Sequence, residues 1–356
     1  MSLNINGNTN ITEIKYNGVD LSQLVFNGTV VWEKVYTVAD SQRIWFACTS
    51  VENSNSSSNY TYTLYRSEND GKTWTSVLTN DFSVTVWVYD NDIVLASGYG
   101  KIFYSLDKGK TWTGVSVGYD TYIIKGNNKY LAMANYLDRY GKIYFATSTD
   151  GKKWSSFSSK TINSSSSEGI TVERPLYSNG VYVCVPYSNG GWGYIYYSTT
   201  GTSWTKTSVA VASRYSMVNK NGQFILYDNG YGLAQVSTNG KNWTEVSGAY
   251  PVRWAYPYHM NDMYYLYDRD TSTNNVNVLY SSSDGLVWNS VNLDSKIIDI
   301  TFPGENCPYA LGVDNNNTVY RTTNFVDWAE YPEYTKAPNE YKTIYNIQCT
   351  PANIPI

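Results

Sequence analysis

The sequence predicts an all-β protein, a seven-bladed β-propeller of four-stranded antiparallel blades preceded by a short N-terminal β segment. Three observations predict it. The 356 residues include 36 Tyr and 12 Trp with abundant Ser, Thr, Asn and Gly, a mix suited to short strands joined by many turns. A polar turn ending in tryptophan recurs as SENDGKTW (67–74), SLDKGKTW (105–112), STDGKKW, STTGTSW, STNGKNW and SSDGLVW, with a degenerate seventh copy, TTNFVDW. The closing residues Trp74, Trp112, Trp154, Trp204, Trp243, Trp288 and Trp328 are spaced by 38, 42, 50, 39, 45 and 40 residues. A period of about forty marks stacked supersecondary units, and four-stranded units of that size stack around an axis as propeller blades.

The first 34 residues are a different object. ITEIKYNGVDLSQLVFNGTVVWE carries two Asn-Gly pairs, each after a β-prone stretch, and such pairs are strong hairpin signals. The piece is too short to bury a core of its own and calls for a docking surface. The propeller is expected over residues 35–336. KVYTVA, RIWFACTS and YTYTLYRS would be the first three strands of the first blade. Each later interval repeats the scheme: VTVWVYD, DIVLAS and KIFYS in the first, then YIIKGNNKYLAMA with KIYFATS, PLYSNGVYVCVP with GYIYYS, and SMVNKNGQFILYD with LAQVS. Residues 337–356 remain as a tail, with the strand-like TIYNIQCT; sequence leaves open whether it seals the ring.

The recurring turn has a physical logic. Gly71, Gly109, Gly151, Gly201, Gly240 and Gly285 precede their tryptophans by three residues, and glycine enters positive φ cheaply. Asp70, Asp107, Asp150, Asn239 and Asp284 can bond nearby amides and hold the turn, and the opening Ser or Thr can do so more weakly. The tryptophan starts the next strand and can bury its ring beneath the turn. The motif reads as a structural lock between the third and fourth strands.

These turns resemble the Asp-box, or BNR, repeat of sialidases and many other propellers. SLDKGKTW fits Ser-x-Asp-x-Gly-x-Thr-Trp, and STDGKKW, STNGKNW and SSDGLVW fit its shorter variant. The resemblance covers about residues 35–336 and implies the fold; the repeat serves enzymes and binders alike. The N-terminal segment resembles a short segment of bacteriophage tail and baseplate proteins at Ile11, Ile14, Asn17, Gly18, Val25, Asn27, Gly28, Val31 and Trp32, which implies attachment to other virion proteins.

Several classes are disfavoured. Net charge is −4 with 16% charged residues, so no basic field invites nucleic acid. Cys48, Cys184, Cys307 and Cys349 form no CxxC pair and read as free thiols, with Cys48 and Cys184 in apolar, buried runs. One histidine, His259, supports neither a triad nor a metal cluster, and no cofactor motif occurs. The N-terminus lacks a secretion signal and no run is long enough for a membrane helix, so the expectation is a virion protein assembled in the bacterial cytoplasm, without membrane insertion. A sialidase needs an arginine cluster for the substrate carboxylate. With eight arginines, the nearest matches, Arg43-Ile44-Trp45 and Arg174-Pro175, do not fit. Asp81, Asp120, Asp138 and Asp270 lie on loops and cannot be paired from sequence as glycosidase carboxylates. The expectation is a non-enzyme with no catalytic residue.

Ligand binding is expected on the face opposite the locks, where loops vary most. The candidates are Tyr99, Tyr136, Arg139, Tyr140, Trp192, Tyr231 and Arg269. Trp192, flanked by Gly190, Gly191 and Gly193, is the first choice, because exposed aromatics among polar groups stack on sugar rings; folding back onto its own blade is its alternative. The serine run 164–167 reads as a flexible interblade loop. The leading expectation is therefore a bacteriophage tail or baseplate protein whose loops bind a host surface glycan, with homo-oligomerisation in the particle left open. The alternatives are a purely structural or decoration protein, and a sialidase-like glycoside hydrolase.

Overall fold

A computed structural model describes residues 44–335, apart from 53–59, 91–92, 127, 137, 139–140, 162–169, 189–192, 212–214, 221, 229–232, 249–256, 261–262, 270–276, 303–306 and 308. It also describes the backbone of strands Lys15–Tyr16, Val19–Asp20, Gln23–Phe26, Thr29–Glu33 and Ile347–Cys349. Seven four-stranded antiparallel sheets form the blades of a β-propeller. Blade 2 runs Thr85–Asp90, Ile93–Gly98, Lys101–Ser105, Thr113–Ser116, and blade 3 runs Thr121–Gly126, Lys129–Ala134, Lys142–Ser148, Ser158–Thr161. Blades 4 to 7 repeat this meander from Leu176, Tyr215, Pro257 and Asp299.

Alternation along each strand sends apolar side chains into the gaps between blades. The buried residues fall into seven clusters, each joining two neighbouring blades. Phe46 and Leu64 of blade 1 meet Val86 and Phe103 of blade 2. Leu95 and Ile102 meet Ile123 and Ala132 of blade 3. The series ends with Leu311 and Tyr309 of blade 7 against Trp45 of blade 1. Seven interfaces for seven blades mean a closed ring.

Closure comes from the far end of the chain. Blade 1 is ordered Ile347–Cys349, Trp45–Glu52, Tyr60–Ser67, Thr75–Asn80, and Cys349 pairs with Trp45. KVYTVA, expected in that place, lies outside the described residues, and the edge beside Trp45–Ala47 is taken by the tail. The reason is topological: a ring sealed by a strand from each end of the chain resists opening better than one whose first and last blades merely abut.

All seven locks share one pattern. The residue three before the tryptophan donates its amide to the opening hydroxyl at 2.8–2.9 Å: Gly71 to Ser67, Gly109 to Ser105, Gly151 to Ser148, Gly201 to Ser198, Gly240 to Ser237, Gly285 to Ser282 and Phe325 to Thr322. These hydroxyls are buried, so the opening residue is the centre of the lock and not a weak accessory. In blade 1 the turn is held by Asn69, not Asp70. Asn69 Oδ1 accepts from the Ser67 hydroxyl and the Thr73 amide, while Asp70 occupies the extra left-handed position (φ 56°) that Lys108 takes in blade 2 (φ 60°). Thr200 does the aspartate's work in blade 4. Blade 7 keeps the turn despite its sequence, because Asn324 holds it and Phe325 accepts φ 62° in return for complete burial against Tyr265. Trp204 is buried, and Trp74, Trp112, Trp154, Trp243, Trp288 and Trp328 are half-buried.

Among the cysteines, Cys184 and Cys307 are buried and Cys48 is only half-buried; desolvation pushes the Cys184 thiol far above its usual value. In the N-terminal segment Lys15–Tyr16 pairs with Val19–Asp20, and Gln23–Phe26 with Thr29–Glu33, which are the two expected hairpins. Ile11, Ile14, Asn17, Gly18, Asn27 and Gly28 lie outside the described residues; Val25 and Trp32 are described as strand backbone.

Candidate functional site

In an antiparallel blade the 1–2 and 3–4 turns share one end, and the 2–3 turns and interblade links share the other. The locks therefore mark one face of the ring, and the second face collects the remaining loops. On this loop face, exposed aromatics stand at the 2–3 connection of three consecutive blades: Tyr60 of blade 1 (40% exposed), Tyr99 of blade 2 (75%) and Tyr136 of blade 3 (44%).

Tyr99 is the most strongly constrained of them. Gly98 pairs with Lys101, leaving a two-residue turn of Tyr99 (φ 42°) and Gly100 (φ 71°). Positive φ at both positions matches a type I′ hairpin turn, where Asn-Gly is preferred and a bulky aromatic is strained. The surroundings enforce the turn. The Gly100 amide donates to Asp120 Oδ1 at 2.7 Å, and the Gly100 carbonyl accepts from Val117 and Gly118. A Cβ at Gly98 would lie 2.1 Å from the Ser83 carbonyl oxygen. The Tyr99 ring stacks on Phe82 of the preceding interblade link, with centroids 5.6 Å apart and planes at 25°, and Lys101 Nζ lies 5.4 Å from the Phe82 centroid. Strain of this kind persists only where the surroundings over-determine it, and it concentrates at functional sites.

Around Tyr136 the chain builds a second support. Asp138 Oδ1 accepts from the Lys142 amide and Oδ2 from the Tyr144 hydroxyl at 2.8 Å. Tyr144 stacks on Tyr119 with centroids 4.6 Å apart. The hydrogen bond to Asp138, aided by desolvation, pushes the Tyr144 hydroxyl up to about 12. Blade 7 repeats the device, with Asp314 accepting from the Thr318 amide and the Tyr320 hydroxyl. Asp138 and Asp120 thus serve as turn supports. Asp270 lies outside the described residues, and His259 is described only as strand backbone.

The 50-residue interval between Trp154 and Trp204 encodes an addition to this face. Ile170–Val172 pairs with Pro186–Ser188 as a separate two-stranded ladder, tied to blade 3 by the Val172 amide donating to the Asn135 carbonyl. Of the remaining candidates, Arg139, Tyr140, Trp192 and Tyr231 lie outside the described residues, as does the serine run 164–167. Arg269 ends the second strand of blade 6 on the loop-face side and is described only in its backbone. Structure thus brings Tyr99 and Tyr136 to adjacent turns. Sequence reasoning passed over Tyr60, and over Phe82 and Tyr119, which stack from interblade links on Tyr99 and Tyr144 of the following blades. No group of three or more potential metal-ligating side chains occurs among the described residues.

No family model matches the chain, and no curated protein sequence does. Solved structures resemble it in fold. The BP39L lectin from Burkholderia pseudomallei is 11% identical, with a TM-score of 0.50 over 82% of this chain and 95% of that one. Sqt1 from Saccharomyces cerevisiae is 9% identical, with a TM-score of 0.48 over 80% and 81%. The GH74 xyloglucanase from Xanthomonas campestris is 12% identical, with a TM-score of 0.45 over 81% of this chain and 55% of that one. At such identities the likeness concerns the fold alone.

Proposed function

We propose that this protein is a glycan-binding propeller of a bacteriophage tail or baseplate, held to the particle by its N-terminal hairpins and presenting the loop face to a bacterial surface polysaccharide. The observation that carries the binding role is Tyr99: a solvated aromatic on a strained two-residue turn, braced by Asp120 and Phe82. An aromatic face beside polar groups stacks on a pyranose ring and leaves the hydroxyls to hydrogen-bond with neighbours. Tyr60 and Tyr136 extend the surface across adjacent blades, which suits a polymer more than a single sugar. The engagement of Asp120 and Asp138 in turn support favours binding without cleavage. The virion assignment rests on the resemblance of the N-terminal segment to bacteriophage tail and baseplate proteins. The test is an array of bacterial surface glycans probed with the purified chain, the bound sugars then being analysed for cleavage. Binding with intact sugars supports the reading; cleavage makes the protein a hydrolase, and no binding leaves it a structural part of the particle.

A further inference from the structure

Asp120 holds the turn of Tyr99 with only one of its two carboxylate oxygens. Oδ1 accepts from the Gly100 amide at 2.7 Å, while no donor among the described residues reaches Oδ2. The side chain is half-buried and keeps access to solvent. Gly100 follows Tyr99 directly, so this open acceptor stands beside the most exposed aromatic of the loop face. Phe82 reaches the turn from the link into blade 2, and Asp120 from the link into blade 3. Aromatic support and carboxylate therefore flank the turn from two sides. On the Asp120 side the surface is bare backbone. Gly118 is exposed, and a Cβ there would meet nothing within 4 Å; a Cβ at Gly100 would first meet the backbone of Gly118 and Tyr119, at 3.5–3.6 Å. The three segments that build this corner, 80–83, 98–101 and 117–120, contain as charged residues Asp81, Lys101 and Asp120. Asp81 is exposed and Lys101 lies near the Phe82 ring, so carboxylates outnumber the cation.

We propose that Asp120 is a specificity-determining residue of the glycan site, its Oδ2 accepting two adjacent hydroxyls of the sugar at Tyr99, and that this sugar is a neutral pyranose with those hydroxyls unsubstituted. This rests on the glycan reading above and adds the ligand's chemical class. An ionised carboxylate offers acceptor sites only, two on each oxygen, so its ligand must donate. Hydrogen bonds to a charged acceptor are about twice as strong as those between neutral groups. Sugar hydroxyls donate; a carboxylate or phosphate on the sugar does not, and Asp81 and Asp120 repel it. The bare backbone at Gly100 and Gly118 lets the ring come close. A ring that lacks one of the two hydroxyls, or carries an ester on it, leaves Oδ2 without its donor and loses affinity. Oδ1 meanwhile keeps its bond to Gly100, so the carboxylate is already fixed in place before the sugar arrives.

The test pairs one variant with a set of sugars. In Asp120→Asn the amide oxygen keeps the bond from Gly100, and an NH2 donor replaces Oδ2. Its melting temperature is expected to match wild type, while its affinity for the glycan with the strongest array signal falls at least about tenfold. The methyl glycoside of that glycan's stacked sugar and its monodeoxy forms then serve as competitors. For wild type, deletion of either of two adjacent hydroxyls is expected to cost about tenfold; for Asp120→Asn the same deletions should cost nothing further, because the partner is already gone. If the asparagine variant melts early, the wild-type series still decides, since the absence of an adjacent sensitive pair overturns the inference. Equal affinity of variant and wild type, deoxy costs that persist unchanged in the variant, or an acidic polysaccharide as the strongest ligand also overturns it and leaves the glycan reading standing. Failure of wild type to bind any glycan overturns both.

Discussion

Trp74 donates its indole N–H to the carbonyl of Thr335 at 2.7 Å, joining residues 261 positions apart. In blades 2, 4, 5 and 7 the same indole donates within its own lock, to Gly109, Gly201, Gly240 or Phe325. The first lock is thus adapted to grip the end of the seventh blade. The Thr335 amide donates to the Gly71 carbonyl, the Thr335 hydroxyl lies within bonding distance of the Gly71 and Lys72 carbonyls, and the Tyr331 hydroxyl donates to the Asp70 carbonyl.

Closure makes the first prediction. Deleting residues 345–356 removes the innermost strand of blade 1 and exposes the edge of Trp45–Ala47. The melting temperature is expected to fall, and amide exchange in Trp45–Glu52 to quicken well before that in Lys129–Ala134. Equal protection of the two strands would show that the tail does not seal the ring.

A second prediction concerns the locks. Gly151 holds φ 68°, and a Cβ there would lie 2.5 Å from Ile93 Cδ1 of the preceding blade. Gly151→Ala should cost about 2 kcal/mol through backbone strain and overpacking. Phe325→Gly should relieve the strain yet still destabilise by about 2–3 kcal/mol, because a fully buried phenyl is lost. Urea denaturation of both variants checks the pair of signs.

Acid should loosen the locks. Desolvation pushes the Asp107 carboxyl up, but hydrogen bonds from the Thr111 hydroxyl and amide, the Ser105 hydroxyl and the Lys110 amide outweigh it and hold the group well below the usual carboxylate range. Asp150 and Asp284 are lowered in the same way by amides of their own turns. A carboxyl whose folded value is depressed contributes stability fully above its unfolded value of about 3.9, and that stability is lost as pH falls toward the folded value. The melting temperature should therefore drop below about pH 4. Asp107→Asn should blunt that drop at little cost, since Asn69 and Asn239 do the same work, whereas Asp107→Ala should cost about 1–2 kcal/mol at neutral pH.

The strain at Tyr99 predicts a trade. Tyr99→Asn gives the turn its preferred Asn-Gly pair and should stabilise the protein by about 0.5–1 kcal/mol while removing the exposed ring. Calorimetry of the two proteins side by side reads the sign directly; a lower melting temperature for the variant would mean the stack on Phe82 outweighs the backbone strain.

The repeat was legible because each lock is local: hydroxyl, turn acceptor, glycine and tryptophan lie within eight residues. What the sequence hid depends on distance or register. Asp70 drew attention by its type, but the eight-residue lock shifts the working acceptor to Asn69. Phe325 suggested decay, since only the contact with Tyr265 shows why φ 62° is tolerated. The tail strand was visible as β-prone but not as the partner of Trp45, a pairing some 300 residues long-range. On the loop face Tyr99 was named for its type, while its brace by Phe82 and Asp120 comes from neighbouring segments. The Asp138–Tyr144 and Asp314–Tyr320 pairs share a readable spacing, with a left-handed Gly141 or Asn317 three residues after the aspartate and the tyrosine six after it.

The most direct test of the account is the affinity of wild type, Tyr99→Ala and Val287→Ser for the glycan that gives the strongest array signal. Val287 is 66% exposed in the blade 6 lock, on the opposite face. Loss of one stacking contact should weaken Tyr99→Ala by about tenfold or more, with Val287→Ser unchanged. Unaltered binding by Tyr99→Ala, or an equal loss in Val287→Ser, would contradict the placement of the ligand on the loop face.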